Sequence, residues 1–157
     1  MKEYTFKSKV EWTGNMGSGT FDTRTYEKSH TISVPNKEQK IYASSSSFFR
    51  GDETKLNPQE LFLSSISSCH LMWFLQFCAD NEVIVLEYID FPEGVIKEDS
   101  NGTGKFDKII LRPTIIVSEK SMIEKAILLH QEINKKCFVA NSCNFPIICE
   151  PVIDFLK

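Results

Sequence analysis

The sequence predicts an α+β domain. Three observations carry this: apolar and polar residues alternate near the start, a long apolar helix occupies the middle, and further strands bracket a second, amphipathic helix. At 157 residues the chain has the usual size of one domain, large enough to bury a core without disulfide staples. Neither an internal repeat nor a composition break divides it, so residues 1–157 are read as a single domain.

The elements follow in order. Tyr4, Phe6, Val10 and Trp12 share one parity, with Thr5, Lys7, Lys9 and Glu11 on the other, as in a half-buried strand. The run Gly14-Asn15-Met16-Gly17-Ser18-Gly19 turns the chain. A second strand is expected from Thr20 to Val34, with Arg24, Tyr26, His30, Ile32 and Val34 on one face. That parity points Arg24 inward, where a guanidinium needs an anionic or hydrogen-bonding partner. Pro35 to Asn57 is rich in Ser, Asp and Lys, and loops of this length are usually functional or mobile. Phe48-Phe49 favours docking of that loop onto the body or onto a partner subunit.

Asn57 has the chemistry of an N-cap and Pro58 that of a first helical residue, opening a helix that runs to about Asp80. From Leu71 to Cys78 this helix is apolar nearly all round, so neighbours must cover most sides. Ser64, Ser65, Ser67 and Ser68 permit close approach of another backbone. Val83–Phe91 and Ile109–Val117 read as strands joined near Asn101-Gly102, with Pro113 marking an edge or bulge. Ser121 and Glu124 have capping-box spacing at the start of a helix reaching Cys137. Met122, Ala126, Leu129, His130, Ile133 and Cys137 form its buried stripe. Phe145 to Leu156 is the last strand.

Charge and composition narrow the function classes. With 18 basic and 21 acidic residues the net charge is -3, which argues against nucleic acid or an anionic membrane surface as the main partner. Leu61 to Ala79 carries no formal charge and approaches the ~20 residues needed to cross a bilayer. It nevertheless contains four serines, His70 and Gln76, so a buried core helix is the better reading. The start MKEYTFKSKVEW lacks the apolar core of a signal peptide, which predicts a cytoplasmic, reducing setting. Five cysteines cannot all pair internally, and in that setting they are inert, catalytic or metal-bound.

Cys69 lies mid-helix and Cys137 at the end of the second helix. If the apolar faces of the two helices pack together these thiols can meet. Otherwise each is a small hydrophobe filling the core, and spacing leaves both readings open. His70 points about 100° away from Cys69, and His130 lies roughly 10 Å along the axis from Cys137, so neither makes a Cys-His dyad and both read as structural. Cys69, Cys78, Cys137, Cys143 and Cys149 include no C-x₂₋₄-C pair, so no metal site is expected. The glycines at 14, 17 and 19 lead into a strand rather than a helix, which excludes a phosphate-cradling loop. No G-x-S-x-G elbow is present. The thiols remain as the specific chemistry, with Arg24 the best candidate to activate Cys69.

Asn57-Pro58-Gln59-Glu60-Leu61-Phe62 followed by Ser67-Ser68-Cys69-His70 resembles the central helix of the OsmC/Ohr superfamily of osmotically inducible and organic hydroperoxide resistance proteins. Trp12-Thr13-Gly14-Asn15, Phe49-Arg50-Gly51-Asp52, Cys137-Phe138-Val139-Ala140-Asn141-Ser142 and Asn144-Phe145-Pro146 are similar to the OsmC-like branch. The resemblance implies curved antiparallel sheets wrapped around central helices in an intertwined homodimer, with active sites at the subunit interface. It implies a cysteine-based peroxidase acting on organic hydroperoxides, free of metal or other cofactor. Cys69 would be the peroxidatic thiolate and Cys137 the resolving thiol, joined in a disulfide that an external dithiol or small thiol reduces, a lipoyl-type dithiol among the candidates.

Arg24 would hold the thiolate and polarise the peroxide. Family members usually place a glutamate where this chain has Gln59, while its acid stands one residue later at Glu60. One helical step swings a side chain by about 100°, so Glu60 cannot simply substitute. Gln59 can still accept a hydrogen bond from Arg24, more weakly than a carboxylate would. The substrate pocket would be lined by Phe62, Met72 and Trp73, with Phe48 or Phe49. Cys78 and Cys149 read as core fillers, and Cys143 is a second candidate for resolution. The alternative function is a non-enzymatic apolar-ligand module or a thiol redox sensor on the same fold.

Overall fold

Helix α1 spans Pro58–Asp80, the bounds its sequence predicts. Its start is a reciprocal capping box: the Asn57 side chain accepts from the Glu60 amide (2.9 Å) and the Glu60 carboxylate accepts from the Asn57 amide (3.0 Å). Here Asn replaces the usual Ser or Thr. The computed structural model describes residues 1–133 and 135–157, whose contacts gather into two compact units, Met1–Leu61 and Phe62–Lys157.

In the first unit, β1 (Lys9–Trp12), β2 (His30–Ser33) and β3 (Lys40–Ala43) form an antiparallel sheet in that order. The strand expected from Thr20 to Val34 is only its last part. Asp22 explains the correction: its side chain accepts from the Arg24 amide (2.9 Å) while Thr25 Oγ1 accepts from the Asp22 amide (3.1 Å), a local turn that competes with a ladder. Arg24 therefore sits exposed in a turn and not on an inward strand face.

The loop after β3 is built rather than slack. The Ser44 amide donates to Leu56 O and Ser44 Oγ accepts from Asp52 N. Asp52 in turn receives Thr54 N and Oγ1 and pairs with Lys55 at 3.1 Å. Gly51 passes so close to Ser45 that a Cβ there would lie 1.6 Å from the Ser45 carbonyl oxygen.

The second unit contains β4 (Val85–Asp90), β5 (Glu93–Glu98), β6 (Gly104–Leu111), β7 (Pro113–Val117), α2 (Ile123–Ile133), α3 (Phe138–Asn141), β8 (Ile147–Cys149) and β9 (Val152–Phe155). Four strands stand where two were expected, and the Asn101-Gly102 turn joins β5 to β6, with Gly102 at φ 77. The expected last strand breaks at Glu150-Pro151 into two pieces serving different sheets. β8 extends β5-β6 and β9 extends β4-β7, both by parallel pairing, so the sheets are not wholly antiparallel.

Ser121 makes no capping box. It hydrogen-bonds Glu119 at 3.3 Å, and a 3₁₀ turn over Lys120–Met122 leads into α2.

On α1 the buried residues are Ile66, His70, Phe74 and Cys78, one every four positions. Phe74 and Cys78 pack with Val83, Ile115, Val117, Ala126, Ile133 and Cys137, while Ile66 packs with Ile109 and Leu111. Coverage of the apolar segment is one-sided, since Met72 and Leu75 remain exposed at 57% and 38%.

Two histidines share this interior. His70 Nε2 and His130 Nδ1 are 2.8 Å apart, and the His130 ring stacks on Phe74 with centroids 4.1 Å apart. Burial holds both imidazoles neutral, His70 at about 4 despite the opposing pull of Asp90 and His130 at about 3. Below the ordinary histidine value of about 6.5 the unfolded chain binds protons that the folded chain refuses, so stability is present above that pH and is lost as pH falls toward 4. Urea unfolding at pH 7 and pH 5 should differ by roughly 2–4 kcal/mol, with the lower stability at pH 5. Gly51→Ala should lower the melting temperature by several degrees, a loss of roughly 2 kcal/mol or more, because the clash is with backbone that cannot swing aside.

Candidate active site

Cys69 lies one residue before His70, so the stripe that buries His70 turns Cys69 about 100° away, to a half-buried position beside the first core cluster. Helix α2 ends at Ile133 instead of continuing to Cys137, which corrects the expected boundary. The Lys136 and Cys137 amides both return to Ile133 O, at 2.8 and 2.9 Å, and Cys137 then begins α3. The Trp73 and Phe138 rings meet edge-on with centroids 6.3 Å apart, docking α3 beside α1.

This break delivers the Cys137 thiol, 1% exposed, into the core cluster against which Cys69 also packs. Burial first, and then the influence of Cys69, push the Cys137 thiol up to about 11, against the pull of the Ala140 and Val139 amides. Its sulfur also caps α3, accepting from Ala140 N at 3.4 Å. At neutral pH Cys137 is therefore protonated. Both cysteines are free thiols.

The other cysteines differ. Cys78 is a core filler, pushed up to about 12 by burial. Cys143 donates its S–H to Val139 O at 3.3 Å, one helical turn back. Cys149, expected to be a filler, stands 3.5 Å from His70 Nε2 and 3.6 Å from His130 Nδ1. The sequence clue to that cluster was positional: both histidines occupy the buried stripes of their helices, which leaves their ring nitrogens to find partners inside.

Of the expected pocket residues, Trp73 packs beside Cys69 and Phe77, and Met72 is exposed. Phe62 joins an aromatic cluster with Phe106 and Phe145, at centroid distances of 5.2 and 6.2 Å, and so belongs to the core. In the first unit Phe48 and Phe49 are exposed at 93% and 50%. The Glu60 carboxylate is taken up in capping α1. Gln59 is half-buried, and its Oε1 is buried without a hydrogen-bond partner among the described residues.

The fold has known counterparts. The chain is similar to an OsmC-like protein of unknown function from Vibrio cholerae, at 27% identity and a TM-score of 0.84 over 96% of this chain and 100% of that one. An organic hydroperoxide resistance protein from Elizabethkingia anophelis shares the fold at 16% identity, with a TM-score of 0.68 over 99% of each chain. So does the organic hydroperoxide resistance protein OhrB of Bacillus subtilis, at 14% identity and a TM-score of 0.62 over 95% of this chain and 98% of that one. Among curated proteins none matches. Residues 51–150 match the model of the OsmC-like protein family, and the chain belongs to that family.

Proposed function

We propose that the protein is a cysteine-based peroxidase that reduces organic hydroperoxides, working as a homodimer in a thiol-reducing cytoplasm. The observation that carries this reading is that Cys69 and Cys137, thiols from distant parts of the sequence, pack at one apolar core cluster, where Cys69 acts on the buried Cys137 thiol. Family membership and structural neighbours named for organic hydroperoxide resistance support it.

The chemistry needs only these thiols and an external reductant. The Cys69 thiolate attacks one peroxide oxygen, the O–O bond breaks, and the alkoxide takes up a proton and leaves as the alcohol. Cys69 is then a sulfenic acid. The Cys137 sulfur attacks that sulfur, the S–O bond breaks, and hydroxide leaves as water with the Cys137 proton. An external dithiol, lipoyl-type among the candidates, returns both cysteines to thiols by exchange.

Gln59 offers a buried amide oxygen without a partner among the described residues, the acceptor a guanidinium requires, and Arg24 is the donor assigned to it. In the proposal this pair sets a neutral acceptor in place of the usual carboxylate. The apolar substrate surface is assigned to Trp73 and Met72. A second copy of the chain is the proposed cover for Met72, Leu75, Phe48 and Phe138, which are 57%, 38%, 93% and 66% exposed in the single chain.

The deciding experiment is steady-state consumption of cumene hydroperoxide with excess dithiol. Wild type should turn over repeatedly, and Cys69→Ser should lose at least about 1000-fold in kcat/KM. Consumption of one equivalent per chain and no more would overturn the enzyme reading and leave a redox sensor. After peroxide treatment, peptide mapping should return a Cys69–Cys137 disulfide and not one to Cys143. Light scattering at micromolar concentration should give twice the chain mass of 18.0 kDa, and a monomer would remove the dimer from the proposal.

A further inference from the structure

We propose that His70, His130 and Cys149 form a binding site for a thiophilic d¹⁰ cation, with Zn²⁺ the species that the local charge balances. The three residues come from α1, α2 and β8, so only the folded chain assembles them. The sulfur lies 3.5 and 3.6 Å from the two ring nitrogens. Bonds of about 2.0–2.1 Å to nitrogen and about 2.3 Å to sulfur place N and S about 3.5 Å apart around a tetrahedral ion, so both sulfur edges already have the required length. The two nitrogens, 2.8 Å apart, must separate by roughly half an ångström to reach the matching N–N edge.

The donor chemistry agrees. Imidazole and thiolate together suit zinc and monovalent copper better than hard cations. Both imidazoles are neutral, the form that ligates. Asp90 acts electrostatically on both His70 and Cys149. One thiolate together with the Asp90 carboxylate neutralises a divalent cation in an otherwise apolar surrounding. A cleft of about 220 Å³ lined by Ile127, His130, Gln131, Cys149 and Pro151 gives the ion a route and leaves a fourth position for water.

Binding forms two metal–nitrogen bonds and one metal–sulfur bond. The Cys149 thiol proton is released to solvent through the cleft. The proton held between the imidazoles moves to an outer ring nitrogen, freeing both inner lone pairs. No electron is transferred. Peroxide turnover at Cys69 neither requires nor excludes this site.

The test uses the reduced full-length chain, stripped with a chelator and titrated with Zn²⁺ against a chromophoric competitor. Co²⁺ is titrated in parallel as the spectroscopic probe. One tight equivalent is expected in wild type and in the Cys69→Ser/Cys137→Ser double variant, with a thiolate-to-cobalt charge-transfer band in each. Cys149→Ser and Cys149→Ala should weaken binding by about 100-fold or more while keeping the wild-type circular dichroism. The proposal is overturned if wild type takes up no metal, if the Cys149 variants bind as wild type does, or if removing Cys69 and Cys137 abolishes binding. Should the Cys149 variants lose their fold, the cobalt band of the double variant decides, and its absence overturns the site.

Discussion

The rotation of α1 about its own axis is the constraint on which the rest depends. Burying Ile66, His70, Phe74 and Cys78 fixes that rotation, because residues four apart lie on one side of a helix. Once it is fixed, Cys69 cannot enter the same layer, and it is carried round to the side where α3 docks. The same rotation sends His70 inward to His130. One nitrogen of each ring meets the other ring, and the Phe74 ring closes over His130. The thiol pair and the histidine pair are thus two outputs of one packing decision.

The second decision is where α2 stops. Had the helix run on to Cys137, that sulfur would have been one more apolar stripe residue. Ending at Ile133, the chain folds the Lys136 and Cys137 amides back on the Ile133 carbonyl and starts again at Cys137. The restart places a sulfur at a helix N-terminus, where amides offer it hydrogen bonds while the core withholds water.

What could be read in advance followed the range of the interaction involved. The capping of α1 was legible because Asn57, Pro58 and Glu60 act on each other locally. The strand predicted over Thr20–Val34 failed for the opposite reason. Its period-two pattern carried no information about Asp22, whose side chain captures its own neighbours. The last strand was seen as one because the two halves share composition, and only pairing with different sheets separates them at Pro151. At the candidate site the residue types and motifs at Cys69 and Cys137 were visible, whereas their meeting at one core cluster depends on tertiary packing. The juxtaposition of Cys149 with two histidines belongs wholly to that class, since β8 reaches them through a parallel pairing with β6 that no local pattern announces.

The cap on α3 has a dynamic consequence. One sulfur atom anchors a four-residue helix and, in the proposed mechanism, is also the atom that forms the sulfur–sulfur bond. Freedom of that sulfur and fraying of Phe138–Asn141 are therefore the same local opening event, governed by a small subglobal free energy and not by the stability of the whole chain. Solvent conditions or substitutions that tighten this single turn would slow thiol chemistry at Cys137 without touching Cys69. Amide exchange at Ala140 would report the readiness of the sulfur.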